Sequence, residues 1–242
     1  TIQYDANQTG GLAILAYAVS SFGKNSTSSI ISAGTVNLNA FNPAVGGRPI
    51  AWGIVSNDLL GGPLSNISVS SSGPVTVRQV SNSSPAAGGV AVGVGAYSQG
   101  LGSPVVVPAV NSGAIDVNQT GAGSFCGGLA AYNGYVGAAG VGGMTATHSG
   151  SILVSGDCSD GASGVDAYGG TLATGPATAL INGPVTVNLN GSNPGFARGV
   201  YAQTKGLSTV VIDADVNVLG ASSIQSAGVY VCLLYTSPSP RD

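Results

Sequence analysis

The sequence predicts an all-β chain wound as a parallel β-solenoid of about six to seven rungs, each built from three short strands. Three observations carry this. First, an anchor residue is followed at its second and fourth places by apolar residues: Val36 and Leu38 after Gly34, Val75 and Val77 after Gly73, Ile115 and Val117 after Gly113. Ile152 and Val154 follow Gly150, Val185 and Val187 follow Gly183, and Val216 and Val218 follow Ala214. Successive anchors lie 31 to 40 residues apart, the period of stacked supersecondary units. Second, each unit holds a further glycine opening an apolar run, as in Gly93-Val94-Gly95-Ala96, Gly128-Leu129-Ala130-Ala131, Gly164-Val165-Asp166-Ala167 and Gly199-Val200-Tyr201-Ala202. Gly53-Ile54 and Gly228-Val229 extend this series, and Gly11-Leu12 is expected to start it. Third, a looser apolar run closes most units, at 67–69, 105–107, 179–181 and 210–212.

Strands this short, alternating with period two, have one apolar face and no means of covering it alone. Stacking unit on unit covers it, with like residues about 4.8 Å apart from rung to rung. The clearest unit, 183–213, contributes Val185, Val187, Val200, Ala202 and Val211 to one slice of core. Forty glycines suit corners that need positive φ or close chain approach. A Gly/Ser-rich linker would not keep β-branched residues in register over six copies.

In chain order, residues 1–32 form a partial unit in which Ile2 and Tyr4 alternate and Ile30-Ile31 fill the closing run. Residues 39–48 and 78–88 are rich in Asn, Ser, Pro and Gly and read as loops leaving a corner. Pro43, Pro49, Pro85, Pro104 and Pro108 are expected in or beside loops, where they lose no ladder bond. Tyr97, Tyr132 and Tyr168 share the fourth place after the second-anchor glycine, outside or at a corner. As a stacked ladder they stabilise the coil; as an exposed strip they bind sugar rings. The structural role is the expectation.

Charged residues make up 6% of the chain, Glu is absent, and the net charge is −3. Such a surface offers phosphates no basic stripe, so nucleic acid is not an expected partner. No run of 18 apolar residues suggests a membrane span. Residues 232–242, beginning at Cys232, look like the translated read-through of a sequencing adapter, as from an environmental DNA read. They are set aside, leaving 1–231 as a single solenoid fragment truncated at both ends.

Candidate chemistry is sparse. Cys126 and Cys158 lie 32 residues apart, close to one unit, so adjacent rungs can bring them together. A disulfide is the expectation if the chain is exported, and two buried thiols are the alternative. Asp157, Asp160 and Asp166 lack both the EF-hand spacing and the calcium-binding nonapeptide and read as a solvated turn. His148, the single histidine, is placed at a polar corner, without the companions of a triad or a metal site. Asp213 and Asp215 could pair as glycosidase carboxylates, but Asp213 reads more simply as a corner. No catalytic, cofactor-binding or metal-binding residues are expected.

The Gly-Pro-Val-Thr-Val-Asn, Gly-Val-Tyr-Ala and Gly-Val-x-Ala-Tyr units, joined by Ser/Asn/Gly loops over residues 1–231, resemble the passenger regions of Gram-negative autotransporters. The resemblance implies a right-handed parallel β-helix shown at the outer-membrane surface as an adhesin or stalk. Its partners would be host or environmental glycans or surface proteins, and the membrane-inserted barrel would lie C-terminal to this stretch. A carbohydrate-active β-helix, lyase or hydrolase, is the alternative. An ice-binding solenoid is disfavoured, because Asn37, Thr76, Asp116, Leu153, Thr186 and Asn217 differ at the outward place such a ladder would need.

Overall fold

The computed structural model describes residues 1–7, 13–23, 27–42, 48–58, 66–81, 89–98, 104–134, 140–191, 195–220 and 225–233. These residues form strands and turns wound as a parallel β-solenoid with three faces. The first face stacks β1 (Ile2–Asn7), β4 (Val36–Asn42), β7 (Val75–Ser81), the start of β10 (Ala114–Asn133), the start of β12 (Ser151–Gly169), β14 (Val185–Leu189) and β17 (Val216–Gly220). The second stacks β2 (Ala13–Phe22), β5 (Arg48–Asp58), β8 (Val90–Ser98), the ends of β10 and β12, β15 (Phe196–Thr204) and β18 (Gln225–Leu233). The third stacks β3 (Thr27–Ser32), β6 (Asn66–Ser71), β9 (Val107–Asn111), β11 (Met144–His148), β13 (Ala177–Ile181) and β16 (Ser208–Ile212). From β4 through β7, β10, β12 and β14 to β17 the path makes five steps, hence five turns. The six to seven rungs read from the repeats include the flanking passes β1–β3 and β17–β18.

The first-anchor pattern sets the register. Val36, Val75, Ile115, Ile152, Val185 and Val216 lie one above another, as do Leu38, Val77, Val117, Val154, Val187 and Val218. All but the residues of the last rung are fully buried. On the second face Ile54, Val94, Leu129, Val165 and Val200 point inward at the first place after the glycine. The third face adds Ile67, Val107, Met144 and Ala177 to the same core.

The two glycine columns act through close approach. A Cβ on Gly73, Gly113, Gly150 or Gly183 would fall 1.9 to 2.2 Å from a carbonyl oxygen of the preceding rung, so only hydrogen fits between neighbouring corners. Among the described residues, positive φ falls at other glycines, such as Gly156 at +114°, where the chain turns from the first face to the second.

Several local expectations shift. Residues 8–12 lie outside the described set, and the position in line with Gly53 is held by Ala18 rather than Gly11, because Tyr17 pairs with Trp52 and Val19 with Ile54. Val105 and Val106 are exposed and the third strand starts only at Val107, since its inward places must match Met144 and Ala146. Pro49 and Pro108 stand inside strands. Pro108 is tolerated because pairing with the preceding rung begins only at Ala109. The loops expected at 39–48 and 78–88 start later, since β4 and β7 run to Asn42 and Ser81; the remainder lies outside the described residues. Cys232 and Leu233 continue β18, pairing with Gln203 and Thr204; a ladder of backbone bonds extends whatever side chains follow.

Candidate functional site

Two columns of outward places run side by side on the second face. Val55, Gly95, Ala130, Asp166, Tyr201 and Tyr230 occupy one; Asn57, Tyr97, Tyr132, Tyr168 and Gln203 occupy the other. Tyr97, Tyr132 and Tyr168 therefore do stack rung on rung, on the outside of the coil. They are far from exposed, however: Tyr97 and Tyr132 are 3% and 7% accessible and belong to a small apolar cluster of their own. Their rings meet edge to face, with centroids 4.5 and 5.5 Å apart, and Trp52 extends the row at 4.3 Å from Tyr97. Tyr201 and Tyr230 then continue it two places over, the Tyr168 and Tyr201 rings stacking at 6.0 Å. Contacts of this kind contribute about 0.5 to 1.5 kcal/mol each beyond area burial.

Beside this row runs a second wall. Ile50, Val90 and Phe125 share one register place, and Gly161 takes the next, where the Phe196 ring fills the space a side chain would need. The walls themselves lean together, the Tyr97 ring over Gly95 and the Phe125 ring over Gly127. Together they enclose a cavity of about 430 Å³ with Trp52 at one end and Asp166, Arg198 and Tyr201 at the other. Asp160 lines it as well.

The polar end is built rather than incidental. The Asp166 carboxylate is enclosed, accepting a hydrogen bond from the Tyr132 hydroxyl at 2.7 Å and another from the Ser163 hydroxyl. Burial raises its pKa to about 6, opposed by those two hydroxyls and by the charge of Arg198. It is therefore ionised at neutral pH. The Arg198 guanidinium lies 4.2 Å over Phe196, 4.2 Å over Tyr201 and 4.6 Å over Tyr230, and donates to Gln225 Oε1 at 3.1 Å. Cation–π contacts hold it at the groove's end.

This overturns the solvated-turn expectation for Asp166, and the reason is its place. It follows Gly164 by two residues in a continuous strand, so the outward column carries it under the tyrosines. Asp157 is partly buried, which raises its pKa, and Asp160 is exposed. Among the described residues no group of three or more His, Cys, Asp or Glu is placed to hold a metal ion.

His148 likewise sits elsewhere than a polar corner. It is fully buried at the end of the third face, stacked between Asn111 and Ile181, with Nδ1 3.3 Å from Asn111 Nδ2. Burial lowers its pKa to about 4, against the raising effect of backbone bonding to Pro184, Asn111 and Gly150. Asp213 and Asp215 are exposed corner residues between β16 and β17, linked to their neighbours through backbone atoms. Cys126 and Cys158 are disulfide-bonded in the interior, with Cα atoms 5.8 Å apart on adjacent rungs. On the first face Arg78 forms an ion pair with Asp116 of the next rung.

The two buried titrating groups oppose each other. Asp166 has a folded pKa above its unfolded one, so its contribution is present at low pH and is lost as pH rises from about 4 to 6. His148 has a folded pKa below its unfolded one, so its contribution is present above pH 6.5 and is lost as pH falls towards 4. Each amounts to about 3 kcal/mol. The wild-type urea midpoint should therefore change little between pH 4 and 6. Asp166→Asn should become more stable across that range as pH rises, and His148→Asn less stable, each by about 2 to 3 kcal/mol. Variants that both track the wild type would contradict this assignment.

Comparison with protein-family models, with curated proteins and with solved structures finds no match to the chain.

Proposed function

We propose that the chain is a structural and adhesive β-solenoid segment displayed at a Gram-negative cell surface in the manner of an autotransporter passenger, with no catalysis of its own. One observation supports this most: the first-face core register holds from rung to rung while the outward places of the same face vary freely. Gln3, Asn37, Thr76, Asp116, Leu153, Thr186 and Asn217 stand in one line. A fold whose interior keeps one apolar pattern and whose exterior is free to differ suits presentation of a surface to glycans or surface proteins. Few basic residues make nucleic acid a poor partner. The test is the gene beyond residue 231. An even-numbered set of amphipathic strands of about 10 residues each should follow; a complete gene without them would remove the autotransporter reading.

A second reading, a carbohydrate-active solenoid, draws on Asp160 and Asp166 lining one cavity. It replaces the exposed pair Asp213 and Asp215 as the carboxylates to test. Release of reducing or unsaturated sugar ends from polysaccharides, abolished by Asp166→Asn, would establish it over the adhesive reading.

A further inference from the structure

We propose that the groove along the outer second face is a binding site for a neutral, hexopyranose-based oligosaccharide lying parallel to the solenoid axis. Its place in adhesion rests on the adhesive reading above, whereas the binding itself stands on the groove alone.

The shape points along the axis. Both walls run along the axis rung on rung, and one of them presents a tyrosine at Tyr97, Tyr132 and Tyr168, about every 4.8 Å, close to the repeat of linked pyranose rings. Its volume, about 430 Å³, lies in the range of small-molecule sites, and such sites pair apolar walls with a few convergent polar groups. The rings of Tyr97 and Phe125 reach over Gly95 and Gly127, places that carry no side chain to hold them off. A Cβ at Gly95 would already press on the Tyr97 ring at 2.4 Å and on Trp52 at 3.0 Å.

The chemistry points to sugar hydroxyls. Pyranose rings have apolar C–H faces that pack on aromatic walls, here Trp52, Phe125, Tyr168 and Phe196, none of them fully buried. They also carry hydroxyls that both donate and accept. Asp166 uses two of about four lone-pair sites on Tyr132 and Ser163, which leaves acceptor capacity for a ligand hydroxyl.

Charge selects neutral over acidic sugars. Among the described residues, Asp160 and Asp166 face the cavity against the one guanidinium of Arg198, with no lysine in its lining. A uronate would meet excess negative charge in a site of reduced dielectric.

Trp52 is the only tryptophan in the chain, so its emission reports on the groove. The experiment screens the whole chain against immobilised neutral and uronate-containing glycans, then titrates the best binder while following Trp52 fluorescence. A neutral glycan should bind and shift the emission saturably, and uronates should bind at least tenfold more weakly. Asp166→Asn and Phe125→Ala should each weaken binding at least tenfold while melting cooperatively, as the wild type does. Absence of binding by any neutral glycan, binding with silent Trp52 emission, uronates bound as tightly, or unchanged affinity in both variants would overturn the proposal. These outcomes are separate from the gene-extension test: a missing barrel leaves the groove standing, and an empty groove leaves the surface scaffold standing.

Discussion

Replacing Gly164 by alanine should destabilise the fold by about 3 kcal/mol or more, the upper end of what overpacking costs. The added Cβ would fall 2.2 Å from Val185 Cγ1 and 2.6 Å from the Gly199 carbonyl oxygen. The first contact is with the core of the next first-face strand and the second with backbone, so no flexible side chain can simply swing away. The column repeats this geometry: Gly128 meets Ile152 Cγ2 at 2.6 Å and Gly199 meets Val216 Cγ1 at 2.2 Å. Each glycine is thus a notch into which the β-branched residue of the following rung fits. Gly228 supplies the control. It belongs to the same column but has nothing within 4 Å of its Cβ position, so Gly228→Ala should be neutral or slightly stabilising through the unfolded state. Urea midpoints for the two variants, side by side, check this. Equal effects at Gly164 and Gly228 would mean that the rungs do not nest.

Loss of the Cys126–Cys158 disulfide should cost about 3 to 4 kcal/mol on the loop-entropy model, given the 32-residue separation. Both half-cystines are fully buried among apolar side chains, so the paired variant Cys126→Ala/Cys158→Ala also leaves a small void and should fall at the upper end of that range. Alkylation gives an independent reading. Unfolded without reductant, the chain should take one label, at Cys232, which is free; after reduction it should take three. Three labels before reduction would show two buried thiols instead of a crosslink.

The core was legible because it repeats. A β-branched residue at the same place in six units has one simple explanation, and the strands of the first face fall where that pattern puts them. The third face was less legible, since Met144, Ala146, Ala177 and Ala179 are small or unbranched and their run resembles a loop of similar composition. The site was legible only in part. The tyrosine column could be read from its constant offset to Gly93, Gly128 and Gly164. Its burial could not, because that comes from packing against Tyr17, Trp52, Val55 and Ala130, residues of differing type that form no motif in the repeat. Asp166 was hidden for a related reason. Beside Asp157 and Asp160 it looks like part of a polar turn, yet its offset from Gly164 is that of Ala130 and Tyr201, and that offset would have placed it in the outward column. His148 was misplaced because the third-face register, which turns it inward beneath Asn111, is set by weakly patterned strands.

Pairwise distances between spin labels on the outward line of the first face test the rung stack itself. Asn37 to Thr186 spans four steps, Asn37 to Asn217 five and Gln3 to Asn217 six. The distances should rise in that order, about 19, 24 and 29 Å, one strand spacing per step. Distances that are equal, out of order, or spread too broadly to be ordered would contradict a single solenoid and, with it, the groove that its outer face provides.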